Sequence, residues 1–143
     1  MIKRLIVHLL GIQSAVAAII VKDGKILLTK RSKLLTEGGK WCLPGGGTDK
    51  WEKSVNAVER EVFEEVGLKT SDCKLLFVQE EIVHRLNLHA NVFVFEVRTS
   101  GKIKANWEVT EYGWFTRREI EKMSLAFSHR DILNKYFNYV RSK

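Results

Sequence analysis

Proline occurs once and cysteine twice in 143 residues. So little proline argues against a chain of modules joined by Pro-rich linkers. Cys42 and Cys73 are too few for a disulfide framework, and neither lies in a CxxC pair or a Cys/His set with zinc-like spacing. They read as two reduced, packed thiols, as in a cytoplasmic protein. No apolar run approaches the roughly 20 residues that a membrane-spanning helix needs. Internal repeats and low-complexity segments are absent. Acidic residues are the minority charge: 17 Asp and Glu against 24 Lys and Arg, a net charge of +7. That balance favours anionic partners such as phosphates and nucleotides. What remains is ordinary for a globular chain, with 45% hydrophobic and 29% charged residues. At this length a single domain, residues 1–143, is expected.

Lys3 and Arg4 precede the apolar Leu5–Leu10, and Ala15-Val16-Ala17 follows, a loose imitation of a secretory leader. His8, Gln13 and Ser14 make the stretch too polar, and Ala15–Val21 reads better as a first strand, apolar enough to be covered on both faces. Asp23-Gly24 is a hairpin signal leading to a second strand, Ile26–Thr29. Leu34–Lys40 reads as a loop. Trp41–Leu43 is a short strand, stopped by Pro44 and three glycines. Val55, Val58, Val62 and Val66 form a helical stripe over Lys53–Val66, with Gly67 as the C-terminal cap. Leu75–Val83, Ala90–Val97 and Trp114–Phe115 read as strands, and Arg117–Met123 as a short helix. Ser128 and Asp131 resemble a capping box that starts a last helix, ending near Val140. The order β-β-β-α-β-β-β-α-α predicts an α/β sandwich with a mixed sheet.

The first helix carries a second pattern. Glu61, Glu64 and Glu65 stand at i, i+3 and i+4, so their carboxylates project to one side despite mutual repulsion. Between residues 52 and 65 five acids stand against two bases, on a chain that is otherwise basic. A solvated helix face would account for this; so would a site for a hard cation such as Mg²⁺ or Mn²⁺, which takes oxygen ligands. Leu43-Pro44-Gly45-Gly46-Gly47 precedes the helix, and its glycines let backbone approach a phosphate or metal without an intervening Cβ.

Read together, Gly46, Glu52 and the run Arg60-Glu61-Val62-Phe63-Glu64-Glu65-Val66-Gly67-Leu68 match GX5EX7REUXEEXGU, with U bulky and apolar, at every specified position. By this motif the chain resembles a Nudix hydrolase. The lead-in Gly39-Lys40-Trp41 and the later Glu111-Tyr112-Gly113-Trp114-Phe115 are similar to the family as well. The resemblance implies the Nudix-type α/β/α sandwich with a mixed β-sheet. It also implies hydrolysis of a nucleoside diphosphate linked to another moiety. Carried over, Glu61, Glu64, Glu65 and the Gly46 carbonyl would hold Mg²⁺, with Mn²⁺ as the alternative. Glu52 and Arg60 would pair to hold loop and helix in register. Glu64 or Glu65 would serve as the base for the attacking water, with Glu108 and Glu111 as alternatives on a later loop. Many members place Gly before the first box glutamate, where this chain has Trp51.

Arg31, Trp41, Gly45 and Gly46 are the expected substrate contacts, Arg31 toward a phosphate and Trp41 by stacking on a base. Phe77, Trp107 and Tyr112 are further aromatics that could stack, though packing explains each as well. His84 and His89 read as exposed or phosphate-facing rather than as metal ligands. Leu125–Leu133 resembles a C-terminal stretch of ADP-ribose-handling Nudix proteins, which often show Asp where Ser128 sits. ADP-ribose, cleaved to AMP and ribose 5-phosphate, is therefore the leading expectation. A house-cleaning triphosphate pyrophosphohydrolase is the alternative, and a non-catalytic nucleotide-binding regulator a further one. A nucleotide is the expected partner, with no membrane and no nucleic acid, since no helix-turn-helix, RNA-binding aromatic motif or zinc finger is evident. A homodimer is compatible with the resemblance.

Overall fold

The computed structural model describes residues 11–143; the Lys3–Leu10 stretch weighed above lies outside the described residues. Strand β1 (Gln13–Ile19) takes up most of the predicted first strand, and β2 (Val21–Lys22) follows it directly. Asp23 and Gly24 then turn the chain with φ of 52° and 74°, so both central residues are left-handed, as the tightest hairpin turn requires. The turn leads to β3 (Lys25–Arg31) and β4 (Trp41–Cys42).

Strand β4 stops before Pro44, as expected from sequence, but the glycines that follow are not only a break. Gly45–Gly47 is itself a strand, β5, paired antiparallel to β1 through Ala15↔Gly47, Val16↔Gly46 and Ala17↔Gly45. A Cβ on Gly45 would fall 2.1 Å from the Val16 carbonyl oxygen, and one on Gly46 would fall 2.7 Å from Glu61 Oε1. The glycines are therefore strand residues whose missing side chains let a backbone pass between β1 and a helix.

That helix, α1 (Ser54–Val66), matches the predicted span within a residue and ends on Gly67 at φ 71°. Next come β6 (Lys69–Val83), a 3-10 turn (His84–Leu86) and β7 (Leu88–Ser100), each strand longer than its sequence pattern suggested. Strand β8 (Val109–Phe115) precedes α2 (Arg117–Glu121) and α3 (His129–Arg141). The capping box forms at α2, where Thr116 and Glu119 cap reciprocally. At α3 the Ser128 side chain makes no cap bond, a departure from the sequence expectation.

One sheet has the order β5-β1-β7-β6, with β1 and β7 parallel and the remaining pairs antiparallel, so it is mixed. The other is antiparallel, with β3 between β2, β4 and β8. Alternation along β1 explains the layers. Ala17 and Ile19 join a core with Ile132, Leu133 and Tyr136 of α3, while Val16 and Ala18 join one with Val58, Val62 and Val66 of α1. A strand apolar on both faces is thus covered on both, giving the α/β/α sandwich. Among the described residues no helix is long and apolar enough to cross a membrane.

Candidate active site

The three glutamates of α1 divide by angle. At 3.6 residues per turn, Glu64 and Glu65 point about 100° apart, with Glu61 between them. Glu65 lies on the edge of the apolar stripe and is 7% exposed. Its Oε2 accepts a hydrogen bond from the Gly45 N–H at 3.4 Å. Glu61 lies under Gly46. The Glu64 side chain is 53% exposed. Burial, then the neighbouring Glu61 charge, pushes the Glu65 carboxyl well above the usual carboxylate range. Glu61 is raised too, again mainly by burial, against the pull of Arg60.

Arg60 is the hub. Its Nε and Nη2 donate to both oxygens of Glu52 at 2.8 and 3.0 Å, and Nη2 also donates to the Gly47 carbonyl at 3.0 Å. Its Nη1 donates to Glu61 at 3.0 Å and to Glu64 at 3.2 Å. Glu52 also accepts from the Asp49 N–H, and its pKa is held down at about 2, chiefly by Arg60. The guanidinium thus ties the glycine strand, the following loop and α1 into one unit. Trp51, in that loop, adopts φ 71° and is 92% exposed. This is the conformation that glycine takes without cost, which explains the glycine of other members.

Among the described residues, no three His, Cys, Asp or Glu side chains converge into a ready-made metal cage. The donor set nevertheless suits a hard divalent cation. Glu61 and Glu65 are adjacent, mostly buried carboxyls, and no described cationic side chain lies within ion-pair distance of Glu65. Oxygen donors with one exposed edge match an ion that keeps several waters.

Behind β5 lies a cleft of about 490 Å³. Gly45, Gly46 and Gly47 form one wall, and Arg31, Phe127 and His129 line it further in. Arg31 stacks its guanidinium 4.8 Å from the centre of the Phe127 ring and donates from Nε to the Thr36 carbonyl at 2.8 Å. Glu37 anchors the neighbouring rim by pairing with Lys40 and with Arg85. Phe127 itself has φ 53°. His129 accepts a hydrogen bond at Nδ1 from the Leu43 N–H at 2.9 Å, which fixes the ring as neutral with its proton on Nε2. Burial, assisted by Arg31, lowers its pKa to about 4.

Because His129 resists protonation only when folded, the unfolded chain takes up a proton first as pH falls. Stability due to this group should be intact above pH 6.5 and drain away toward pH 4, by roughly 3 kcal/mol in all. Denaturant titrations at several pH values on the protein and on His129→Gln should show that pH dependence in the former alone. Identical slopes would remove His129 as the cause.

Gly45, Gly46 and Arg31 line the cleft, whereas Trp41 does not. Its ring packs edge-on against Phe115 at 5.0 Å, under Lys30, as part of the core. Phe77 packs against the same core. Trp107 and Tyr112 are exposed, and neither they nor His84 and His89 line the cleft. Glu111 pairs with Lys30 at 3.0 Å, its cross-strand partner. Glu108 is the later-loop carboxylate whose charge reaches Glu65. It gets there because Lys104 and Asn106 donate to the Val66 and Glu65 carbonyls, folding that loop onto the end of α1. Glu81, on β6, escaped sequence reading. It is 5% exposed and lines the cleft, and Ser128 donates to its Oε2 from both N–H and Oγ. Its inward position follows from the alternation that begins at Phe77, which could have revealed it.

Comparison with known proteins agrees with this geometry. The family model described as the NUDIX domain matches residues 11–136. The chain is 34% identical over 127 residues to the ADP-ribose pyrophosphatase of Methanocaldococcus jannaschii, spanning 87% of this chain and 73% of the relative. It is 30% identical over 133 residues to the MutT-like protein of Streptomyces ambofaciens, spanning 90% and 81%. The crystal structure of a MutT NUDIX hydrolase from Burkholderia pseudomallei is similar at TM-score 0.78 and 32% identity, covering 85% of this chain and 95% of that one. A fold with this helix and glycine strand, matched along most of its length by such relatives, places the chain in the Nudix hydrolase family.

Proposed function

We propose that the protein hydrolyses ADP-ribose to AMP and ribose 5-phosphate, using Mg²⁺, with Mn²⁺ as a substitute. The observation that carries this reading is the position of Phe127 and His129. The Leu125–Leu133 segment resembles that of ADP-ribose-handling members, and both residues line the cleft beside Gly45–Gly47. The similarity to the Methanocaldococcus enzyme supports the same substrate.

Nudix hydrolases generally require divalent ions. Here Glu61, Glu64, Glu65 and the Gly46 carbonyl would hold the ion, which when bound offsets diphosphate charge and acidifies water. A water attacks one phosphorus, and its proton passes to Glu64 or Glu65. The bridging P–O bond breaks, leaving one phosphate on each product. Arg31, at the cleft, meets phosphate oxygens. Arg60 keeps the glutamates and the glycine strand in fixed relation, so little reorganisation accompanies the reaction.

ADP-ribose should show a higher kcat/KM than any nucleoside triphosphate, because selectivity arises in pockets beside a motif that treats all diphosphates alike. Arg31 could equally hold a terminal phosphate, which favours the triphosphate alternative. A side-by-side assay decides. Pyrophosphate released from a triphosphate at about ten times the ADP-ribose rate, at equal subsaturating concentration, would replace the first reading with the second.

A further inference from the structure

We infer that Glu81 is a specificity residue that accepts a hydrogen bond from the exocyclic amino group of the substrate's nucleobase, so that the cleft selects adenine over hypoxanthine. The inference rests on the nucleotide-hydrolase reading, and not on which moiety is attached to the diphosphate.

Glu81 is a carboxylate on the inward-facing side of β6. It is almost fully buried, yet it lines the cleft. Among the described residues no cation pairs with it. Among those residues its hydrogen-bond donors are the Ser128 N–H, at 3.0 Å, and the Ser128 hydroxyl, both to Oε2. These two bonds fix the carboxylate's direction and leave Oε1 without a donor among the described residues. Oε1 is open to the cleft, so a ligand that displaces water there must supply a donor or leave a desolvated carboxylate oxygen unpaired.

The surroundings define that donor. Ala15, Leu88, Ala90 and Val92 line the same cleft as apolar surface, and Phe127 adds a ring. These apolar side chains and the Phe127 ring offer a surface on which a heteroaromatic base can lie, with Glu81 as its acceptor. A carboxylate also repels phosphate, so the anionic part of the substrate is directed away from Glu81, toward Arg31 and the glycine strand. A base can meet Glu81 with an exocyclic N–H₂ or, in keto bases, with a ring N–H; in hypoxanthine that N1–H is flanked by O6, so turning it to the carboxylate brings a carbonyl lone pair beside it. A keto oxygen at the same place would face Glu81 oxygen to oxygen. Ser128 is a positioning residue, because it acts only by aiming Glu81.

The test compares ADP-ribose with its hypoxanthine counterpart, and ATP with ITP, by steady-state kinetics on the protein, Glu81→Gln and Ser128→Ala. The unaltered protein should prefer the adenine member of each pair by about tenfold or more, carried mainly by KM. Glu81→Gln, whose amide can donate as well as accept, should bring the ratio close to one. Ser128→Ala should lower it to an intermediate value while kcat holds. Thermal melting checks that both variants fold, and the unaltered protein's own preference stands as a test should a variant fail to. Equal rates on adenine and hypoxanthine substrates would overturn the inference while leaving ADP-ribose hydrolysis intact. An adenine preference among triphosphates, with no turnover of ADP-ribose or its hypoxanthine counterpart, would uphold it and remove the ADP-ribose reading. An unchanged ratio in a folded Glu81→Gln would also overturn it.

Discussion

Excess chelator should abolish hydrolysis, and added Mg²⁺ or Mn²⁺ should restore it. The chemistry of the donors dictates this. Glu61 and Glu65 sit together under the glycine strand, and burial raises the pKa of both. Arg60 already divides itself among Glu52, Glu61, Glu64 and the Gly47 carbonyl, and does not pair with Glu65. Burial therefore opposes ionisation of the pair, and a bound cation would hold both carboxylates charged beside the cleft where a negatively charged diphosphate would lie. Two anions cannot approach each other in this way without a cation between them. The donors are all oxygens, which favours hard ions over zinc or copper. Activity assayed with chelator, then with each metal in turn, reads the effect directly. Full turnover in excess chelator would contradict the metal site.

Glu64→Gln and Glu65→Gln should each lower kcat by about 10²-fold or more, with far smaller change in KM. The amide keeps the shape of the carboxylate and removes the charge and the basicity that matter in the transition state. Glu65 offers a sharper form of the test, because its burial makes it a cost to the folded protein. Gln at 65 can still accept from the Gly45 N–H, and it no longer brings a raised-pKa carboxyl beside Glu61. Melting temperature should hold or rise as kcat falls, the opposite of what a structural residue would show. Glu64, half in solvent and bonded to Arg60, should leave stability nearly unchanged when made neutral. Near-normal turnover in both variants would remove these residues from the chemistry.

Features set by neighbours in the chain were legible from sequence. The valine stripe and Gly67 define α1 because helix periodicity and a left-handed cap are local properties. Asp23-Gly24 defines its hairpin for the same reason. Ser128 shows where local reasoning stops. Its spacing to Asp131 suits a capping box, yet its hydroxyl is taken by Glu81, 47 residues earlier in the chain. Only the packing of α3 against β6 brings that competitor within reach.

The loop carboxylates divide in the same way. Nothing in the sequence ranks Glu108 against Glu111. A register shift between Lys30 and Arg31, where β3 pairs with β8, sets Glu111 opposite Lys30 and lets the preceding loop turn toward α1. Such an irregularity depends on pairing between distant segments and leaves no periodic trace. Trp41, expected from sequence to stack on a base, instead packs edge-on against Phe115 of β8. By itself the sequence determined the family motif, the helix that carries it, the turns and the two-sided burial of β1, all of which follow from local periodicity and backbone preference. Tertiary structure alone decided that Gly45–Gly47 is a strand, that Arg60 joins Gly47, Asp49, Glu61 and Glu64 as well as Glu52, and which acids and aromatics meet at the cleft, because those outcomes depend on the registers and crossings that bring remote residues within a few ångströms.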